Sequence, residues 1–273
     1  MKFGGNITLS NLAAFVTTSG DNMIVGLTAG KVPLGLYDRS YNLVVQPISQ
    51  MMAPLNRVAV PLLSRFAGEA EQYRATYLQM FRISTLLTVP AMPVCISNGG
   101  AVIGALLGPR WSATAPIFSW ISVGGLTVGL YSSTVWLFIT QNRSPELRLY
   151  SALAAAINVA SYLIGAFWGV IGIATAASIG YVFVTTPLML FGATRKGPVS
   201  LADAVNCSVP FAIESIIVYA VLTLGLRGSA LHDIPRVIVA TLLSYGFFVG
   251  LALVSAANRQ LLRGGIRMLK SQR

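Results

Sequence analysis

The chain has 273 residues, of which 55% are apolar and only 10% charged, with a net charge of +11 and a mean hydropathy of +0.70. A soluble domain carries roughly a quarter charged residues, so this composition excludes one and points to a surface that faces lipid. A charge at a bilayer centre costs about 2.5–3.5 kcal/mol on insertion scales, which is the pressure that empties such runs of charge.

Long charge-free stretches set the expected fold class: an all-α, polytopic transmembrane helix bundle of about eight spans in a single transmembrane region covering 1–273. The first span is expected at about 7–27, following Met1–Asn6 without a signal-peptide pattern. The second is expected at about 34–63, and a polar stretch, Ser64–Arg82, is expected to be a solvated linker helix. The third follows at about 83–107, interrupted near Ser97–Gly100, and the fourth at about 113–140. The charge-free run Leu149–Thr194 is too long for one helix. It must fold back near Gly165, Gly169 and Gly172, giving spans at about 149–167 and 171–194. The last two are expected at about 204–226 and 234–257, with a basic cytoplasmic tail over 258–273.

The basic residues lie at the ends of these runs, which is the distribution of a membrane protein and gives no reason to expect nucleic acid as a partner. With the N-terminus in the cytoplasm, thirteen Lys and Arg fall on the cytoplasmic side, Arg65, Arg74, Arg82, Arg143, Arg148, Arg195 and Lys196 among them. Five fall outside: Lys31, Arg39, Arg110, Arg227 and Arg236. Both termini are therefore expected in the cytoplasm, with membrane lipids as neighbours. The tail is read first as a charge cluster that stops transfer, and second as an amphipathic helix on the inner leaflet.

Polar residues inside the spans are where function is expected, because hydrocarbon cannot satisfy them. At 100° per residue, Arg39, Asn42, Gln46, Gln50 and Arg57 of the second span fall within an arc of ~80°. Such a stripe must face other helices or a water-filled cavity. Pro47, Pro54 and Pro61 are expected to kink the same helix. In the first span Asn11, Thr18 and Asn22 share an arc of ~40° with Asp21 beside it. Asp21 is read with even weight as a partner for Arg39 or as an ion-coupling acid. Glu214 is a second lone acid, better read as half of an ion pair or as a helix-end residue. Cys95 and Cys207 read as small core residues, and His232 as a loop residue. No GxxxxGK[ST], HExxH or CxxC motif is present, so no metal, cofactor or enzymatic reaction is expected.

Several segments resemble a known family. Asp21-Asn22 with Gly26, then Leu34-Gly35-Leu36-Tyr37, resemble the seventh and eighth helices of the polysaccharide exporters, oligosaccharide-lipid flippases of the MATE-like superfamily. Pro61-Leu62-Leu63-Ser64-Arg65 and Leu106-Leu107-Gly108 with Trp111 are similar to later motifs of that family. The resemblance covers roughly the first 120 residues. It implies the C-terminal part of a MATE-like flippase in a bacterial inner membrane, moving lipid-linked oligosaccharides from the cytoplasmic to the outer leaflet for polysaccharide biosynthesis and export. The cargo would be a polyprenyl-pyrophosphate sugar. Polysaccharide polymerase and glycosyltransferases would be its partners. On that picture Arg39 and Arg57 contact the anion and Asn42, Gln46 and Gln50 the sugar hydroxyls, with Asn11, Thr18 and Asn22 lining the same cavity. Family members have twelve to fourteen helices, so a partial chain is expected. The alternatives are a MATE-like drug or cation antiporter, a non-transporting membrane component of polysaccharide assembly, or a flippase for a peptidoglycan lipid precursor.

Overall fold

The computed structural model describes residues 20–226 and 232–254, and every described element is helical. In chain order these are α1 (20–29), α2 (Lys31–Arg65), α3 (Ala70–Thr88), α4 (Ala91–Ser97) and α5 (Gly99–Leu107). A 3₁₀ turn (Pro109–Thr114) leads into α6 (Ala115–Gly125) and α7 (Val128–Thr140). Then come α8 (Ser144–Ala166), α9 (Gly169–Gly180), a π-turn (Tyr181–Thr185), α10 (Thr186–Thr194), α11 (Leu201–Gly225) and α12 (Asp233–Val254). Among the described residues, six helical stretches are long and apolar enough to cross a membrane: Ala70–Ser97, Pro109–Thr140, Ser144–Ala166, Gly169–Thr194, Leu201–Gly225 and Asp233–Leu251. α2 is longer than any of these at 35 residues, yet its polar residues keep it out of that group.

The largest departure from the expected spans concerns the third. A membrane-length helix begins at Ala70 and ends at Ser97, whereas the charge-free pattern predicts 83–107 with a linker over Ser64–Arg82. The turn between α2 and α3 is only residues 66–69. The reason is amphipathicity. Tyr73, Tyr77, Met80 and Phe81 recur at helical spacing and are buried, while Glu71 and Arg74 point outward. A search for charge-free runs passes over such a helix. Beyond Ser97 the chain breaks at Asn98 and restarts as the short α5. Most of the expected first span, including Asn11 and Thr18, lies outside the described residues, as does the tail.

The fold-back inside Leu149–Thr194 takes the form of a tight hairpin. α8 and α9 are joined through Phe167 and Trp168, and Gly169 adopts a left-handed φ of 71°. A Cβ on Gly165 would lie 2.5 Å from the Gly172 carbonyl oxygen, so both glycines are needed for the two helices to approach this closely.

One end of the bundle is tied by charges. α11 starts with a capping box: the Ser200 hydroxyl accepts from the Asp203 N–H at 3.1 Å, and the Asp203 carboxylate accepts from the Ser200 N–H at 3.0 Å. Arg74 of α3 pairs with the same carboxylate, its Nε donating at 2.7 Å. Arg143, only 8% exposed, donates to the carbonyl oxygens of Gly192, Ala193 and Lys196 at the end of α10 and pairs with Glu146 at 2.7 Å. It therefore satisfies backbone acceptors that the helix end would otherwise leave open. Lys196 reaches Glu146 at 3.0 Å.

Candidate functional site

α2 is two-faced. Tyr37, Ser40, Val44, Ile48, Met52, Ala59 and Leu63 are buried and recur mostly every four residues. They lay one side of the helix against α3, α6 and α7. Arg39, Gln46, Gln50 and Arg57 are exposed on the other side, and Asn42 is half-buried with its amide donating to the Asp38 carbonyl at 2.9 Å. The five stripe residues thus share one face, and no described residue encloses it. From Arg39 to Arg57 the stripe runs ~27 Å, close to the ~30 Å of a hydrocarbon core.

Two features make this face more polar than its side chains alone. Pro47, Pro54 and Pro61 all lie inside α2. Each lacks the N–H that would bond the carbonyl four residues earlier, which leaves the Leu43, Gln50 and Arg57 carbonyls without their usual partners. The guanidiniums are also uncommitted to acids: Arg39 sits 5.9 Å from the centre of the Trp111 ring, and Arg57 makes no ion pair or hydrogen bond with a described residue.

Beside the stripe lies a cleft of about 310 Å³ lined by Asn56, Val60, Tyr131, Ser132, Val135, Trp136 and Ile139. The Trp136 indole donates to Asn56 Oδ1 at 2.8 Å across it. Sequence reasoning missed this cleft. Asn56 lies ~40° beyond the edge of the arc, and its partner is 80 residues away.

Asp21 is 5% exposed and does not pair with Arg39. Its Oδ1 accepts from the Asn22 N–H at 2.8 Å and its Oδ2 from the Tyr37 hydroxyl at 3.3 Å. The Asn22 amide donates to Asp38 at 3.4 Å, and Asn22 Oδ1 is buried without a partner. Three tyrosines lie near the acid. Tyr37 stacks on Tyr41 with ring centres 6.4 Å apart, Tyr41 and Tyr162 lie within electrostatic reach of Asp21, and Tyr181 continues the cluster to Tyr131 at 5.4 Å. Tyr181 opens the π-turn, a local widening of the helix that recurs at functional positions. Among the described residues no cluster of three or more His, Cys, Asp or Glu could hold a metal ion.

The fold defines a polytopic, all-helical membrane protein. The solved structure of the lipid II flippase MurJ in an inward closed conformation matches with a TM-score of 0.67 at 16% identity, covering 87% of this chain and 50% of that one. In sequence, residues 1–116 match the family described as "Polysaccharide biosynthesis protein". The teichuronic acid biosynthesis protein TuaB of Bacillus subtilis (strain 168) is 26% identical over 171 residues, 59% of this chain and 35% of TuaB. An uncharacterized membrane protein in the cps region of Klebsiella pneumoniae is 24% identical over 126 residues, 46% of this chain and 26% of that protein. The chain therefore spans about a quarter to a third of these curated relatives' length and half of MurJ's. It is similar in sequence to the polysaccharide biosynthesis family over its first part and in fold to MurJ over most of its length.

Proposed function

We propose that this chain supplies one wall of the path along which a flippase moves a lipid-linked, pyrophosphate-bearing oligosaccharide from the cytoplasmic to the outer leaflet for polysaccharide biosynthesis. The observation that carries the reading is the exposed stripe of α2, a membrane-long row of hydrogen-bonding groups with two arginines free of acidic partners. A guanidinium offers a planar fork of donors that binds phosphate oxygens bidentately. Arg39 and Arg57 are assigned to the pyrophosphate, near the two ends of the stripe. Asn42, Gln46 and Gln50 between them are assigned to sugar hydroxyls, and the freed carbonyls of the proline-broken helix accept further hydrogen bonds. No covalent step is involved. The work is to replace water around a charged headgroup while it crosses.

The same reading places the protein in a bacterial inner membrane with polysaccharide polymerase and glycosyltransferases as partners. The end that gathers Arg74, Arg143 and Lys196 is assigned to the cytoplasm by the charge bias of such proteins. Asp21, bonded to the Tyr37 hydroxyl and adjacent to the unsatisfied Asn22 amide oxygen, is assigned to ion coupling. A drug or cation antiporter is disfavoured because the arginines would repel a cationic cargo.

The test is translocation of a fluorescent polyprenyl-pyrophosphate oligosaccharide in vesicles carrying the protein. Arg57→Ala is expected to abolish it and Arg57→Lys to restore part of it, because a lysine keeps the charge but loses the fork. Undiminished transport by Arg57→Ala would remove the stripe from the mechanism.

A further inference from the structure

Glu214 stands near the middle of α11, one of the most apolar helices in the chain. Its Oε2 is buried and accepts no hydrogen bond from any described residue. Sequence reasoning favoured an ion pair or a helix-end position for this acid, and the structure provides neither. α11 packs against α3, α4, α10 and α12, and the described ionisable groups on those helices lie against other partners. Arg74 is held by Asp203. Arg82 lies beside Cys207, about two turns from Glu214. Arg236 donates to Asn98 and Tyr245 to the Leu87 carbonyl, Tyr77 is bonded to Ser133 and Tyr73 to Thr140, Glu71 lies beside Arg74, and Cys95 of α4 lies against Ser122. α10 itself carries no charge, and Asp233, at the start of α12, packs beside Gly104. Among the described residues no charged group comes within electrostatic reach of Glu214.

An ionised carboxylate without a donor is a costly thing to keep among apolar helices, and the neutral acid fits where the anion does not. Position adds to this. Glu214 lies ~60° around the helix from the buried Phe211, at the margin between the packed face and the exposed Ile213. Pro210 sits one turn earlier inside α11 and deprives the Asn206 carbonyl of its helical partner, so the helix has a weak point next to the acid.

We propose that Glu214 is an exchangeable protonation site: the carboxylate binds one proton to become a neutral acid inside the bundle, and releases it when α11 bends at Pro210 and the group meets water. That this exchange is coupled to cargo movement rests on the flippase reading above; the site itself does not.

Dicyclohexylcarbodiimide, to whose central carbon a protonated carboxyl in apolar surroundings adds to leave a stable N-acylurea, probes the site in the purified protein in lipid nanodiscs. Peptide mass mapping is expected to find the adduct on Glu214 at neutral pH, falling several-fold as the pH is raised, and absent in Glu214→Gln. Glu146, ion-paired with Arg143 and Lys196, is expected to stay unlabelled. An unlabelled Glu214, or labelling indifferent to pH, would overturn the proposal whatever the protein carries. In the vesicle assay Glu214→Gln, with an unchanged melting temperature, is expected to flatten the pH dependence of translocation. Retained pH dependence would overturn the coupling. Absence of translocation by the unsubstituted protein would instead count against the flippase reading and leave the labelling result standing.

Discussion

α2 and α11 are built inside out relative to one another. α2 buries one apolar face against the bundle and exposes amides and guanidiniums, with Met51 and Val58 beside them. α11 exposes Ile213, Ile216, Val221 and Leu224 and turns a lone carboxylate oxygen inward. Both are long helices of one membrane protein, so the difference cannot come from length. It marks what each outer face meets. Acyl chains suit the surface of α11, whereas the surface of α2 carries groups that lipid would leave unsatisfied. Exposure on a membrane protein is therefore not one property, and the chemistry of the exposed atoms decides which solvent they are made for.

The sharpest way to break this contrast is to put the same charge on each face. Ile213→Arg on α11 is expected to cost about 2.5–3.5 kcal/mol of membrane insertion and to cut the yield of membrane-integrated protein severely. Gln50→Arg on α2 adds an arginine to a face that already holds two and is expected to leave the yield close to that of the unsubstituted protein. Equal yields, measured by membrane fractionation, would mean that both helices meet the same medium.

A smaller effect is expected from loosening α2 on its packed side. A Cβ on Gly125 of α6 would lie 3.4 Å from Val44 and 3.5 Å from Ile48 and would press on the Met92 sulfur. Gly125→Leu is thus an overpacking change, expected to cost about 1–3 kcal/mol and to lower the melting temperature. Because it displaces α2, cysteine accessibility is expected to change along the stripe and to stay unaltered on the outer face of α11. A change of the same size on both helices would show that they move as one unit and that the contrast between them has no mechanical meaning.

Periodicity alone makes the stripe of α2 legible in the sequence, because 39, 42, 46, 50 and 57 lie on one helical face whatever surrounds them. The hairpin between α8 and α9 is legible for a related reason: a run too long for one helix must turn, and the glycines say where. The start of α3 is hidden because its charges lie on an outer face while tyrosines carry the buried one. Arg143 reads as one more loop charge. Its burial under the end of α10 depends on a partner segment about fifty residues away. The tyrosines near Asp21 come from α2 and α8 and lead on to Tyr181 of the π-turn and Tyr131 of α7, and no local spacing could have assembled them. Glu214 is visible as an acid in an apolar run, but its lack of a partner is a property of four neighbouring helices.

The smallest of these effects concerns the seam where the stripe meets the packed interior. Asn56 sits on α2 just beyond the arc and accepts the Trp136 indole N–H at 2.8 Å. Trp136 is otherwise 2% exposed, so removing the acceptor leaves a largely buried donor at the edge of the cleft. Asn56→Ala is expected to destabilise the protein by about 1–3 kcal/mol, the cost of an unsatisfied buried polar group, with its lower end favoured because the adjoining cleft is large enough for water to replace the amide. Trp136→Phe in the same background removes the stranded donor and is expected to recover most of that loss. This double-variant comparison by thermal unfolding separates the hydrogen bond from the shape of the cleft. If Trp136→Phe restores nothing, the bond does not hold α2 to α7, and the stripe owes its orientation to the apolar face alone.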